Sequence, residues 1–148
     1  MRGMMGRQSL ADQNSGLSSV PNPIVELAAA EWRAWNSHDL KGFLALLHPA
    51  VVYHDITSVP AKGLTEVGRL FERRLEKVPT LAFSIERFVV QGNTVVTIGK
   101  MIGTASGGSP NRVVCPYCQV MVIEKLRIKY VREYFDFACW MKLLQTTL

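Results

Sequence analysis

Hydrophobic positions follow two regimes along the chain. From Pro23 to about Val78 they recur at helical spacing, and from Leu81 to Phe137 they follow the spacing of strands. Ile24, Ala28, Trp32 and Trp35 lie four, four and three residues apart, which predicts an amphipathic helix. Pro21-Asn22-Pro23 marks its start, and Pro23 suits a first helical turn, where a missing N–H costs nothing. Asn36-Ser37-His38-Asp39 breaks that helix. Asp39 is placed to cap a second one, with Leu40, Phe43, Leu44 and Leu47 on one face and His48-Pro49 at its end. Val51-Val52-Tyr53-His54-Asp55 predicts a short strand, followed by a loop with Pro60 and Gly63. Thr65 is a candidate N-cap for a third helix, whose apolar stripe is Val67, Leu70, Phe71, Leu75 and Val78 and which Pro79 ends.

The second half predicts four long antiparallel strands. Leu81 to Val90 and Thr94 to Gly103 flank the turn Gln91-Gly92-Asn93. Ala105 to Asn111 is a Gly/Ser/Pro loop. Arg112 to Ile123 and Ile128 to Phe137 flank a second turn. Helices grouped ahead of a meander indicate an α+β fold: a cone-shaped, curved antiparallel sheet packed against N-terminal helices, a cystatin-like α+β barrel. Such a cone encloses a natural small-molecule cavity. The Arg112–Ile123 strand is apolar on both faces. One face can line the cone and the other needs cover, which suggests a homodimer through the outer sheet face.

Composition narrows this picture. A chain of 148 residues, 48% hydrophobic and 20% charged, fits one globular domain, assigned to 21–148. Residues 1–20 carry no usable period and read as a disordered leader. No apolar run approaches the roughly 18–20 residues of a membrane span, and the N-terminus lacks a secretory apolar stretch, so a cytoplasmic location is expected. The net charge of +5 comes from dispersed residues. Arg69, Arg73, Arg74 and Lys77 interleave with Glu66, Glu72 and Glu76, which reads as a solvated helix face, not a nucleic-acid footprint. Three cysteines, an odd number, suggest reduced thiols. Cys115-Pro116-Tyr117-Cys118 has the glutaredoxin redox spacing but continues into a strand-like run. Its two cysteines would face opposite ways and stay chemically idle. His38, His48 and His54 have no metal-ligand spacing, so neither a metal nor a cofactor is expected.

The candidate chemistry lies in two acids. Asp136 ends a run of aromatic and apolar residues, and strand alternation puts it on one face with Tyr130, Arg132 and Tyr134. In an apolar pocket its pKa would rise and it could act as a general acid or base; paired with Arg132 it would be structural. Asp55 shares a face with Tyr53, whose phenol could donate to a developing oxyanion; alternatively Asp55 caps the following turn. Trp35, Met101, Tyr117, Gln119, Met121 and Tyr134 are the expected lining of the cone.

These residues carry a family resemblance. Trp35-Asn36-Ser37-His38-Asp39 resembles the tryptophan-asparagine-x-x-aspartate stretch of SnoaL-like proteins. Val51 to Ile56 resembles a strand of limonene-epoxide hydrolases, with Asp55 where ketosteroid isomerases place their general base. Arg132-Glu133-Tyr134-Phe135-Asp136 is similar to the terminal epoxide-hydrolase strand that bears a catalytic aspartate. The order and spacing resemble the nuclear transport factor 2-like superfamily, in its SnoaL-like polyketide cyclase and limonene-epoxide hydrolase branch, from about residue 22 to 142. The hydrolases add an arginine and a second aspartate on a central strand. Gly99 and Met101 occupy those positions here, so an arginine bridging two acids is not expected. Gln119 stands opposite the second acid of the isomerases. The resemblance implies a cofactor-independent cyclase or isomerase acting on a hydrophobic polyketide- or terpenoid-like molecule, with Asp136, Asp55 and Tyr53 as catalytic groups. Epoxide opening and a non-catalytic ligand-binding or dimerising module are the alternatives.

Overall fold

The computed structural model describes residues 21–105 and 111–144. The expected leader and most of the Ala105–Asn111 loop lie outside the described residues. Helix α1 spans Pro23–Asn36. Asn22 caps it by accepting from the Ile24 amide at 3.0 Å, and Pro23 sits in its first turn. Helix α2, Leu40–Ala45, begins at the expected cap, where Asp39 Oδ1 accepts from the Gly42 amide at 2.9 Å. It stops earlier than its apolar pattern suggested, because Leu47, His48 and Pro49 already belong to strand β1, Leu47–Asp55. After the two-residue strand β2, Ala61–Lys62, helix α3 runs Gly63–Lys77. Thr65 lies inside this helix and does not cap it. Lys62 is the cap residue, and its amide donates to Glu66 Oε2 at 2.7 Å.

Strands β3 (Ala82–Gln91), β4 (Thr94–Thr104), β5 (Arg112–Glu124) and β6 (Arg127–Phe135) form the expected meander. The six-stranded sheet has the order β2-β1-β6-β5-β4-β3. It is curved, and it is mixed rather than antiparallel, because β1 runs parallel to β6; nor does it close into a barrel. The chain then departs from the strand pattern, which had run on to Phe137: Phe137–Leu144 is a helix, α4.

Two irregularities set which side chains face inward. Register shifts between Ile85 and Arg87 on β3, where Gly99 of β4 is the facing residue; a Cβ on Gly99 would lie 2.2 Å from the Ser84 carbonyl oxygen, so only glycine fits. On β6, Ile128 and Val131 both point inward, with the register shift between the Tyr130 and Ile128 pairs. One extra residue in a strand reverses the alternation beyond it. Val131, Glu133 and Phe135 therefore face the core, and Tyr134 and Asp136 do not.

The helices cover the inner face. Trp35 stacks on Phe71 with ring centroids 4.1 Å apart, and Phe71 stacks on Phe43 at 4.9 Å. Asn36 pairs with an edge strand as another strand would: its amide donates to the Phe83 carbonyl at 2.9 Å and its carbonyl accepts from the Phe83 amide at 2.7 Å. His38, at φ 55°, is the turn residue that ends α1, and its ring lies 3.1 Å from the Leu81 carbonyl.

Candidate functional site

Sheet register lines up a row of polar side chains on the inner face. Thr97 stands opposite Gln119, Gln119 opposite Glu133, and Glu133 opposite Asp55, across β4, β5, β6 and β1. The neighbouring rows are mainly apolar: Val95, Met121, Val131 and Tyr53 on one side, Tyr117 and Phe135 on the other. Burying four polar groups in such a wall is tolerable only if partners reach them. The helices supply those partners. From α3, Arg74 donates to Glu133 at 2.6 and 3.0 Å and to Asp55 at 2.8 Å. From α1, Trp32 Nε1 donates to Thr97 at 3.3 Å, and Glu31 accepts from Gln119 Nε2 at 2.9 Å. The Tyr117 hydroxyl donates to Glu133, linking the two halves of the row.

The electrostatics divide this row. Burial works against a charge on Asp55, yet Arg74 and two hydrogen bonds from Thr57 outweigh it and hold the Asp55 pKa below its usual value. Burial likewise opposes the charge on Arg74, and Glu133 above all keeps its pKa well above normal. Glu31 has no cation in contact. Burial raises its pKa to about 8, the Gln119 bond pulls the other way, and the Glu133 charge adds to the rise. It is therefore a protonated acid near neutral pH. Burial and then the Glu133 charge push Tyr53 and Tyr117 well above the ordinary phenol value.

Among the described residues, several buried polar atoms in this interior find no partner in hydrogen-bond geometry: Glu31 Oε2, Tyr53 OH, Trp35 Nε1 and Gln119 Oε1. Native interiors leave few such groups, and a cluster of them marks space for water or a ligand group. An opening at the Asp55 end of the row has a volume of about 150 Å³. Its lining is Asp55, Thr57, Ser58, Leu70, Arg73, Arg74, Lys77 and Trp140.

Most of the expected cone residues meet here. Asp55, Tyr53, Trp35, Met101, Tyr117, Gln119 and Met121 are all buried on or against the inner face. Asp136 and Tyr134 are not among them. Asp136 is exposed at the start of α4, where Oδ1 accepts from the Ala138 amide at 2.8 Å, and Tyr134 is 43% exposed with Arg132 over its ring. These residues do share a face, as expected, but the bulge turns it outward. It forms part of an outer groove of about 560 Å³ with Ile98, Lys100 and Cys118. The inward acid of β6 is Glu133.

Two further expectations are corrected. Arg74 does not belong to a solvated helix face: it is 5% exposed and bridges two carboxylates, an arrangement expected to be missing because it was sought on β4. Nor are all the thiols reduced. Cys115 is bonded to Cys139 with Cα atoms 5.8 Å apart, and Cys118, facing the other way, is free. Glu31, Arg74 and Glu133 were missed although each left a trace. Glu31 falls on the stripe of Ala28, Trp32 and Trp35, Arg74 on that of Val67, Leu70, Phe71 and Val78, and Glu133 between Val131 and Phe135.

A sequence model described as SnoaL-like domain matches residues 28–131. No curated protein matches the chain. Among solved structures, a putative SnoaL-like polyketide cyclase from Shewanella denitrificans is similar, with a TM-score of 0.72, 19% identity, and coverage of 86% of this chain and 100% of that one. TerC, co-crystallised with polyporic acid, superposes with a TM-score of 0.76 at 16% identity, covering 84% and 100% of the two chains. An epoxide hydrolase of the limonene-epoxide hydrolase-like type from M. tuberculosis superposes with a TM-score of 0.67 at 24% identity, covering 83% and 90%. The chain belongs to the SnoaL-like family, with the nuclear transport factor 2-like fold.

Proposed function

We propose that this SnoaL-like protein is a cofactor-independent acid–base enzyme, a cyclase or isomerase acting on a hydrophobic polyketide- or terpenoid-like molecule inside the cone. The carrying observation is Glu31: a fully buried carboxyl with no ion-pair partner among the described residues, one oxygen of which makes no hydrogen bond and whose burial raises its pKa to about 8. A group titrating there can give a proton to a developing enolate and take one back near neutral pH. Tyr53, beside Glu133, and Trp35, beside Glu31, bring donors that a substrate oxygen can share, and Gln119 brings an acceptor. Met101, Met121 and the aromatic rings supply an apolar surround. Asp55 is held ionised by Arg74 and fixes the electrostatic frame; Asp136 takes no part. The same reading takes the outer sheet face, with Val114 and Tyr134 exposed, as the contact with a second copy of the chain.

The hydrolase alternative has one observation in its favour, the two carboxylates bridged by Arg74. In that mechanism Asp55 or Glu133 activates a water and Glu31 protonates the leaving oxygen. One experiment separates the two. The protein is incubated with a β,γ-unsaturated cyclic ketone in D₂O and with styrene oxide in H₂¹⁸O. Deuterium uptake and conjugation of the ketone support proton-transfer catalysis. An ¹⁸O-labelled diol supports hydrolysis. If neither substrate is converted while both bind, the protein is a ligand-binding module.

A further inference from the structure

We propose that the Cys115–Cys139 disulfide is a redox latch that holds α4 as a cap over the opening of the cone, so that large ligands reach the polar row only after two-electron reduction. Cys115 is fully buried on the inner face of β5, two residues before Tyr117. Its partner Cys139 lies on α4 and is partly exposed, so a reductant can approach that sulfur. The residue after Cys139 is Trp140, which lines the opening together with Asp55 and Arg74. With the bond formed the opening holds about 150 Å³. Drug-sized ligands occupy pockets of roughly 300–1,000 Å³, so a polycyclic molecule cannot pass until the cap moves.

The bond acts on α4 and on little else. Tyr117 and Phe135 are paired neighbours in the β5–β6 ladder, so hydrogen bonds already hold the two chain segments together. What the sulfur bridge adds is attachment of an eight-residue helix, too short to persist in water unaided. Beyond the bond, α4 packs through two buried side chains: Trp140 meets the Phe135 ring at 6.0 Å between centroids, and Leu143 is seated against Gly103 beside Val78. Asp136, between β6 and α4, is the pivot. Its carboxylate caps the first turn, and the Trp140 amide donates to its carbonyl at 3.0 Å.

The chemistry balances with a dithiol as the named reductant. A thiolate of the dithiol attacks Cys139 Sγ, and Cys115 leaves with the bonding pair and takes a proton. The second thiol of the reductant then displaces Cys139 as a thiol. Two electrons enter the protein and the dithiol leaves as a disulfide. Cys118 is on the outer face and cannot serve as the resolving thiol, so the Cys115-Pro116-Tyr117-Cys118 spacing is not a redox dithiol here.

The test uses the full chain prepared without reductant and alkylated immediately. Mass spectrometry should show one modified cysteine, Cys118, and three after treatment with dithiothreitol. Hydrogen exchange of residues 137–144 should then accelerate, and association of the apolar fluorophore 2-naphthol should rise roughly ten-fold, as expected for release of a local cap. Cys139→Ser, at a partly exposed position, should show the fast behaviour without reductant, and Cys118→Ser should behave as the unmodified protein. Three alkylated cysteines before reduction, or unchanged exchange and uptake after it, would overturn the latch. None of these readouts requires turnover, so an inactive Glu31 would sink the proposed function and leave the latch standing.

Discussion

The two ends of the buried polar row carry the same kinds of side chain and treat them oppositely. At the Asp55 end, Arg74 satisfies Asp55 and Glu133 with three hydrogen bonds, and Tyr117 adds another. At the Glu31 end, a carboxyl is buried with no cation in contact among the described residues, and Glu31 and Gln119 each keep a polar atom unpartnered; Tyr53 and Trp35, whose rings lie against the Arg74 guanidinium, sit between the two ends and keep one each as well. Folding alone explains the first arrangement, because a bridged ion set costs little once it is fully hydrogen-bonded. It does not explain the second, where every idle donor or acceptor costs stability. The difference separates the part of the row that holds the cone together from the part that is poised to act.

The largest effect is expected at the satisfied end. Arg74→Met keeps the apolar volume but strands Asp55 and Glu133 as buried carboxylates. Urea unfolding should show a loss of about 3–5 kcal/mol, the usual result of removing one partner from a buried ion set. A loss below about 1 kcal/mol, the scale of an exposed pair, would show that the bridge is solvated and would erase the distinction between the two ends.

Glu31→Gln tests the other end. Glutamine is nearly isosteric with the protonated acid, so the fold should survive while turnover falls about 10²–10⁴-fold. The pH dependence has a fixed sign. Glu31 has a folded pKa raised from 4.5 to about 8, so its native state retains a proton that the unfolded chain has lost. Its contribution is complete below pH 4.5 and is lost as pH rises toward 8, at about 1.4 kcal/mol per unit. Asp55, with its pKa lowered, behaves oppositely: its contribution is present above its usual pKa and fades as acid protonates it. Denaturation from pH 5 to 9 should therefore show a decline in the unmodified protein that is flattened in Glu31→Gln. The activity of the unmodified protein should fall above about pH 8 as the acid form disappears.

Much of this molecule was legible in its sequence, and each failure has its own physical cause. Alternation placed Tyr117, Gln119 and Met121 on one inner face because β5 is regular along that stretch. It grouped Asp136 correctly with Tyr130, Arg132 and Tyr134, but that face is the outer one: β6 carries a bulge between Ile128 and Val131, and nothing in Ile128-Lys129-Tyr130-Val131 announces an extra residue. The family resemblance led to the Asp136 strand; the inward acid three residues earlier was masked by that parity. Glu31 and Arg74 were hidden by their type. A charge among charges reads as a solvated face, and only its place on an apolar stripe shows that it is buried. The disulfide joins residues 24 apart, one of them on a helix beyond the last expected strand that no pattern had announced, so spacing gave no hint of it.

A pair of hydroxyl deletions sharpens the comparison at smaller scale. Tyr117→Phe removes a donor from buried Glu133 and should cost about 1–3 kcal/mol, the penalty for leaving a charged acceptor short of a bond. Tyr53→Phe removes a hydroxyl that lies beside Glu133 but meets no partner in hydrogen-bond geometry among the described residues. Stability should stay level or rise slightly, while turnover should drop several-fold if that phenol binds the substrate oxygen. Equal stability losses in the two variants would mean that Tyr53 is bonded in solution and belongs with the structural end of the row.

The smallest effect is expected where the sequence placed its strongest catalytic candidate. Asp136 and Glu133 are three residues apart on one strand and its exit, yet one caps α4 in solvent and the other is fully buried against Arg74. Asp136→Asn exchanges one good N-cap for another. Stability should therefore change by no more than about 0.5 kcal/mol, and turnover should stay within a few-fold of the unmodified protein. Asp136→Ala removes the cap and should cost about 1 kcal/mol, with faster hydrogen exchange confined to α4 and no change in the pH–rate profile. Glu133→Gln, in contrast, should disturb both stability and the titration of Glu31, because the Glu133 charge helps to raise that pKa. If Asp136→Asn instead lost 10²-fold or more in rate with the fold intact, the outward face of β6 would carry the chemistry, and the buried row would be a structural core alone.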